Sequence, residues 1–202
     1  MVRNRRALLG SCLLLAACSL LTSKVEDLRV DAVDFVGLES KADAPVLTQF
    51  LRDDDVALKV TLSSTTDLGR LAENKNLNVA FDAASCPLES ASELSKWPYV
   101  YLSGVEVGYI GLTDEQRNRY KDLAARVSPP QRFEYNVYIN SKEAQSTRRA
   151  VVSYDLLSRP FDVCLRFSGG NMIGAGLTSN IVQISRSDII EAEKKARVRR
   201  AR

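Results

Sequence analysis

The chain has 202 residues, with 28 Lys and Arg against 25 Asp and Glu, 45% hydrophobic residues, four Cys and no His. Without imidazole there is no Ser-His-Asp or Cys-His nucleophilic site, no His-ligated zinc, no HExxH metalloprotease and no c-type haem with an axial His. The length and a charged fraction of 26% fit one soluble globular domain with appendages.

At the N-terminus, Arg3, Arg5 and Arg6 precede an apolar run over residues 7–17. Eleven residues are too few to cross a bilayer core of about 30 Å as a helix, so the segment reads as a signal peptide. Its end, Leu15-Ala16-Ala17-Cys18, resembles the lipobox of bacterial lipoproteins. The resemblance covers residues 1 to about 20. It implies cleavage before Cys18, a diacylglycerol on the Cys18 sulfur and acylation of its amine, which together hold a protein stably on a membrane. Ser19, rather than Asp, follows the cysteine. By analogy with enterobacterial sorting, this implies the outer membrane, with the domain facing the periplasm.

Removing residues 1–17 takes away three Arg and no acid, leaving 25 basic and 25 acidic residues. Residues 18–27 read as a lipidated, polar tether. From residue 28 the pattern alternates with period two: residues 28–36, then Val56, Leu58, Val60 and Leu62, then Leu77, Val79 and Phe81. Asp53, Asp54 and Asp55 lie before the second of these runs as a solvated turn, since they have neither the spacing nor the glycine of a calcium loop. Residues 63–76 read as a surface loop.

Cys86 is the first of two cysteines expected in the mature domain, and Cys164 is the second. In a compartment that permits disulfides they are expected to bond, closing a loop that contributes about 2–5 kcal/mol. Two thiolates without His do not complete a zinc shell, so neither a metal nor a cofactor is expected.

Further along, Trp97, Tyr99 and Tyr101 stand at i, i+2 and i+4, with Val100 and Leu102 on the other parity. If the aliphatic side faces the core, the aromatics form a row on an outer face, to which Tyr138 adds. Such a row can stack on sugars or anchor a protein. Pro98 places the strand at an edge or interrupts it at its start. Val105, Val107 and Tyr109 alternate next.

Thr113 and Gln116 form a capping box for a helical crossover over about residues 114–127, with Tyr120, Leu123 and Val127 on one face and Pro129 and Pro130 as its stop. Phe133, Tyr135, Val137 and Ile139 resume the alternation, followed by a second surface loop at 140–148 and strands at 150–156, 161–167 and 181–185. Between the last two lies a glycine-rich stretch, residues 169–176. It lacks the Lys-Ser/Thr and the following helix of a phosphate loop and reads as a hairpin whose tip, Asn171, Met172 and Ile173, is a contact surface.

The last segment, residues 188–202, begins with Asp188 and Glu191 at N-cap and N3 spacing and ends in a basic run: Lys194, Lys195, Arg197, Arg199, Arg200 and Arg202. It reads as a short helix or solvated tail able to contact lipid head groups, lipopolysaccharide phosphates or an acidic protein.

The expectation is a mainly β protein. It has a signal peptide (1–17), a tether (18–27), an antiparallel β-sandwich of roughly seven to nine strands (28–187) with one helical crossover, and a basic C-terminal segment. The expected function is a non-enzymatic envelope adaptor held by its N-terminal lipid. It would bind a protein or glycan partner, and not nucleic acid, through Trp97, Tyr99, Tyr101, Asn171 and Met172. The alternatives are a cell-wall or polysaccharide hydrolase using Asp and Glu, and a structural tether to anionic envelope polymer.

Overall fold

The computed structural model describes residues 22–45, 47–52, 55–88, 93–95, 99–107, 113–146, 151–172 and 175–200. The lipobox, Cys18, Trp97, Asp53, Asp54, Ile173 and Arg202 lie outside them.

The alternating runs form strands. In chain order these are β1 (Thr22–Val25), β2 (Arg29–Val36), β3 (Ala57–Ser64), β4 (Asn78–Ser85), β5 (Glu93–Ser95), β6 (Tyr99–Leu102) and β7 (Val105–Glu106). They continue as β8 (Phe133–Asn140), β9 (Lys142–Ser146), β10 (Val151–Asp155), β11 (Val163–Gly170), β12 (Gly176–Ser179) and β13 (Val182–Ile184). One sheet has the order β1-β12-β11-β4-β5, with β13 also on β11. The second has the order β2-β3-β8-β6-β7, and β9 and β10 form a separate two-stranded hairpin. The fold is mainly β and sandwich-like, as expected.

The main core lies between the two larger sheets. Leu58, Val60, Leu62, Tyr135, Val137 and Ile139 come from the second sheet, and Phe81, Val163, Leu165 and Phe167 from the first; all are at most 1% exposed. Phe81 and Phe167 are registered across β4 and β11, with ring centroids 5.1 Å apart. Burying each such side chain contributes about 1.5–3 kcal/mol. The Cys86–Cys164 disulfide forms as expected, with a Cα–Cα distance of 5.2 Å, and ties the chain just after β4 to the start of β11.

Four features depart from the sequence reading. Strands β1, β5, β9 and β12, which no expected run covers, raise the count to thirteen among the described residues; β1, β5 and β12 have only three or four residues, too few for a periodic signal. The tether is shorter than expected, because Thr22–Val25 already pair with Gly176–Ser179 in the parallel β1–β12 ladder, and Val25 is buried. The reading of residues 140–148 as a loop is corrected at β9, which pairs with β10. Residues 63–76, read as a loop, contain a helix at Leu68–Lys75.

The helices are α1 (Leu47–Phe50), α2 (Leu68–Lys75), α3 (Asp114–Ala124) and α4 (Arg186–Arg200), with a 3₁₀ turn at Leu38–Ala42. At the start of α2 the Asp67 carboxylate accepts from the Arg70 amide, and Asn76 closes the other end in the left-handed conformation at φ 51°. Helix α3 has the expected capping box between Thr113 and Gln116, and Tyr120 is its buried residue. It ends at Ala124, where the Arg126 and Val127 amides turn back to Leu123 and Ala124 ahead of the two prolines. At the β6–β7 hairpin the two-residue turn Ser103-Gly104 has φ of 47° and 81°, the positive pair that matches strand twist.

Helices α2 and α3 meet where Gly69 lies under the Tyr120 ring. A Cβ on Gly69 would stand 2.2 Å from Tyr120 Cζ. Gly→Ala inside an exposed helix gains up to about 1 kcal/mol. Here the ring is held by its hydroxyl, so the overlap costs about 1–3 kcal/mol and reverses the sign. Gly69→Ala is therefore expected to lower the melting temperature; an unchanged or raised value would contradict the packing of α3 on α2.

Candidate functional site

The expected aromatic row is corrected at Tyr101 and Tyr138. Both are buried, at 4% and 1% exposure, and their rings meet edge to face with centroids 5.9 Å apart. Trp97 lies outside the described residues, as does the side chain of Tyr99. The physical reason is a second, smaller core. Between β2 and β3 the chain folds through the 3₁₀ turn and α1 across the outer face of the second sheet, laying Ala44, Leu47 and Leu51 over Val36, Ala57, Tyr101 and Tyr138. Strand β6 is thus covered on both faces, with Val100 and Leu102 in the main core. Burial, with the Asp43 carboxylate adding to it, pushes the Tyr138 phenol up to about 12. Its hydroxyl has no hydrogen-bond partner among the described residues.

The hairpin between β11 and β12 has a hydrogen-bonded base. The Asn171 amide donates to the Ala175 carbonyl at 3.1 Å, its Oδ1 accepts from the Ala175 amide at 3.0 Å, and its Nδ2 donates to the Lys75 carbonyl at the end of α2, also at 3.0 Å. Met172 beyond it is fully exposed. Asn171 thus works as a brace, and Met172 is the presented group.

Alongside, α2, α3 and the start of β8 enclose a cleft of about 840 Å³ lined by Arg70, Glu73, Asn74, Lys121, Val127 and Phe133, with Thr65, Asp67, Tyr120, Ala124 and Ala125 completing the wall. The ion pair Lys121–Glu73, at 2.8 Å, joins α3 to α2. Tyr120 donates its hydroxyl to Asp67 Oδ1 at 2.6 Å and accepts from the Gly69 amide at 3.0 Å. Tyr135 accepts from the Leu68 amide at 2.9 Å and donates to the Thr66 carbonyl at 3.2 Å. Burial drives both phenols well above the ordinary tyrosine range. They stay neutral and hold the first turn of α2, whose amides have no partner within the helix. Asp67 is taken up as a cap and Glu73 as an ion pair, so the cleft offers shape, an apolar floor and charges of both signs. Sequence reading missed it because residues 63–76 showed turn-forming residues before helical ones. Asp67 and Asn76, at cap spacing around Leu68 and Ala72, were the available signal.

Beside the cleft a polar joint ties three segments together. Asp27 accepts from the Ser64 hydroxyl at 2.7 Å and from the Thr65 amide and hydroxyl, each at 2.6 Å. Arg132 pairs with Asp27 at 3.2 Å and donates to Ser63 Oγ at 3.1 Å. Partial burial works against ionisation of Asp27, but the Thr65 and Ser64 hydrogen bonds and the Arg132 charge outweigh it and bring the carboxyl down to about 2.

The basic C-terminal segment is not a solvated tail along its described length. Helix α4 begins at Arg186, where Ser185 and Asp188 exchange the bonds of a capping box, and buries Ile189, Ala192 and Ala196. Arg199 makes a two-pronged contact with Asp34, at 2.8 and 2.6 Å, and donates to the Phe35 carbonyl. Lys195 pairs with Glu191 at 2.7 Å and Arg197 with Glu193. Lys194 and Arg200 are exposed, and Arg200 lines a smaller cavity of about 460 Å³ beside Gly37 and Glu39. Asp55 is paired with Lys142 at 2.8 Å.

Two outcomes follow. Tyr120→Phe leaves the Gly69 amide without its acceptor and is expected to cost about 1–3 kcal/mol in denaturant unfolding; no loss would mean the amide finds water. Asp27 has a folded pKa below its ordinary value, so its contribution is present above about pH 4 and is lost as pH falls toward 2. Asp27→Asn should be less stable by about 1 kcal/mol at neutral pH, after allowance for solvent screening. The gap to the parent should close between pH 4 and 2, and a gap independent of pH would contradict this. Comparison of the chain with family models, with curated proteins and with solved structures finds no match.

Proposed function

We propose that the protein is a lipid-anchored, non-enzymatic binding module of the cell envelope, contacting an envelope partner through the cleft between α2 and α3. The cleft is the observation that carries the reading: about 840 Å³ of concave surface with an apolar floor at Val127 and Phe133 and opposite charges at its rim. Concave surface with a few placed polar groups is the ordinary form of a recognition site. Its carboxylates are engaged by the helix cap and by Lys121, which favours recognition over acid-base chemistry. Charges of both signs at Arg70, Glu73 and Lys121 suit a charged protein segment better than a neutral sugar. Location rests on the lipobox-like residues 15–18, and the Cys86–Cys164 bridge supports it, because disulfides persist in oxidising compartments.

A photo-crosslinking residue at Asn74, exposed on the cleft wall, tests this in intact cells. The expected result is one discrete, protease-sensitive adduct that is absent when the crosslinker replaces exposed Arg186 and is lost on reversing the rim charges with Arg70→Glu and Lys121→Glu. The same adduct from both positions, or an adduct indifferent to the charge reversal, would remove the cleft as the contact surface.

A further inference from the structure

The first described strand fixes which end of the domain faces the membrane. Thr22 is registered on Gly176, and Gly176 on Gly170, so the start of β1 lies beside the base of the β11–β12 hairpin. Because β1 and β12 run parallel, the chain before Thr22 approaches from the hairpin side of the sheet. Cys18 is four residues earlier, and four peptide units span at most about 14 Å. The intervening Ser19, Leu20 and Leu21 carry no charge. A lipid on Cys18 therefore cannot be far from the hairpin, whereas the opposite end of β11, where Val163 pairs with Ile184, is about 23 Å further along the strand.

That same end presents the largest exposed apolar group among the described residues. Met172 stands two residues beyond the last β11 rung and is fully open to solvent, on a turn braced by Asn171 to Ala175 and Lys75. An unbranched thioether next to a hydrogen-bonded hairpin base is suited to entering the boundary between head groups and acyl chains. The charges match. Lys24 on β1 and Lys75 at the end of α2 lie toward this end, and no acid occurs among residues 22–24, 75–79, 168–172 and 175–178. Each such cation near an anionic surface is worth about 1 kcal/mol.

We infer that the β11–β12 hairpin is the membrane-facing tip of the domain. Met172 inserts at the lipid interface beside the Cys18 anchor, and Lys24 and Lys75 face the head groups. This rests on Cys18 being acylated, as proposed above. It commits to lipid rather than to protein as the neighbour of Met172, and it gives the domain a fixed attitude on the membrane: α2 stands with its Lys75 end down and its Asp67 end up.

The test uses the full-length protein, purified after processing and reconstituted in phosphatidylethanolamine–phosphatidylglycerol vesicles. With Cys18 acylated and Cys86 bonded to Cys164, Met172→Cys supplies one free thiol for an environment-sensitive fluorophore. Arg186→Cys, at the far end of β11, supplies the control. The expected result is blue-shifted emission at position 172, with most of its intensity lost to shallow nitroxide-bearing lipid, and water-like, unquenched emission at position 186. Water-like emission at both positions on protein whose Cys18 is acylated by mass overturns the orientation and leaves the anchor standing. An unacylated residue 18 overturns the anchor and the orientation together.

Discussion

The attachment of the N-terminal segment to the first sheet is the constraint on which the rest of this arrangement depends. Thr22–Val25 form a parallel ladder with β12, and the Leu28 amide and carbonyl exchange bonds with the Asn180 side chain at 3.0 and 2.8 Å. Asp27 then ties the crossover to Ser64, Thr65 and Arg132. These bonds join the start of the domain to both sheets and to the first turn of α2. A segment held in this way cannot act as a flexible leash. A group on residue 18 is therefore within about 14 Å of the start of this ladder, the reach of four peptide units.

The same joint positions the cleft. Thr65 lies both against Asp27 and on the cleft wall, and two residues later Asp67 caps α2 and receives the Tyr120 hydroxyl. Tyr120 brings α3 onto Gly69, while Tyr135 reaches up from β8 to the Leu68 amide. The two helices are thus set by polar contacts from Tyr120 and Tyr135 to the first turn of α2. The cleft is open because each helix spends few side chains on the other.

The sequence revealed the parts of the fold that obey a period. Leu58, Val60 and Leu62, or Tyr135, Val137 and Ile139, alternate because one face is buried, and that face is the core of the sandwich. The capping box at Thr113 and the pairing of Cys86 with Cys164 were equally legible, the first from residue chemistry at fixed spacing and the second from counting. Strands β1, β5 and β12 escaped notice because three or four residues show no period. Tyr101 was misread for a different reason. Alternation assigns a buried and an exposed face only when one side of a sheet meets solvent, and residues 38–51 cover the side expected to be open. The basic run of α4 was legible as charge, but not as a docked helix, because Asp34, the partner of Arg199, lies 165 positions away. Of the contact residues read from the hairpin, Met172 is presented as expected, while Asn171 holds the turn that presents it.

Amide hydrogen exchange of the full-length, vesicle-bound protein measures most directly whether residues 22–25 form one stiff unit with the first sheet. Amides of residues 22–25 that hydrogen-bond into the ladder should exchange as slowly as those of their β12 partners, because both strands open only when the sheet does. Exchange at the rate of an unstructured chain across residues 22–25, with β12 still protected, would mean that the domain swings on a free tether, and the account would be contradicted.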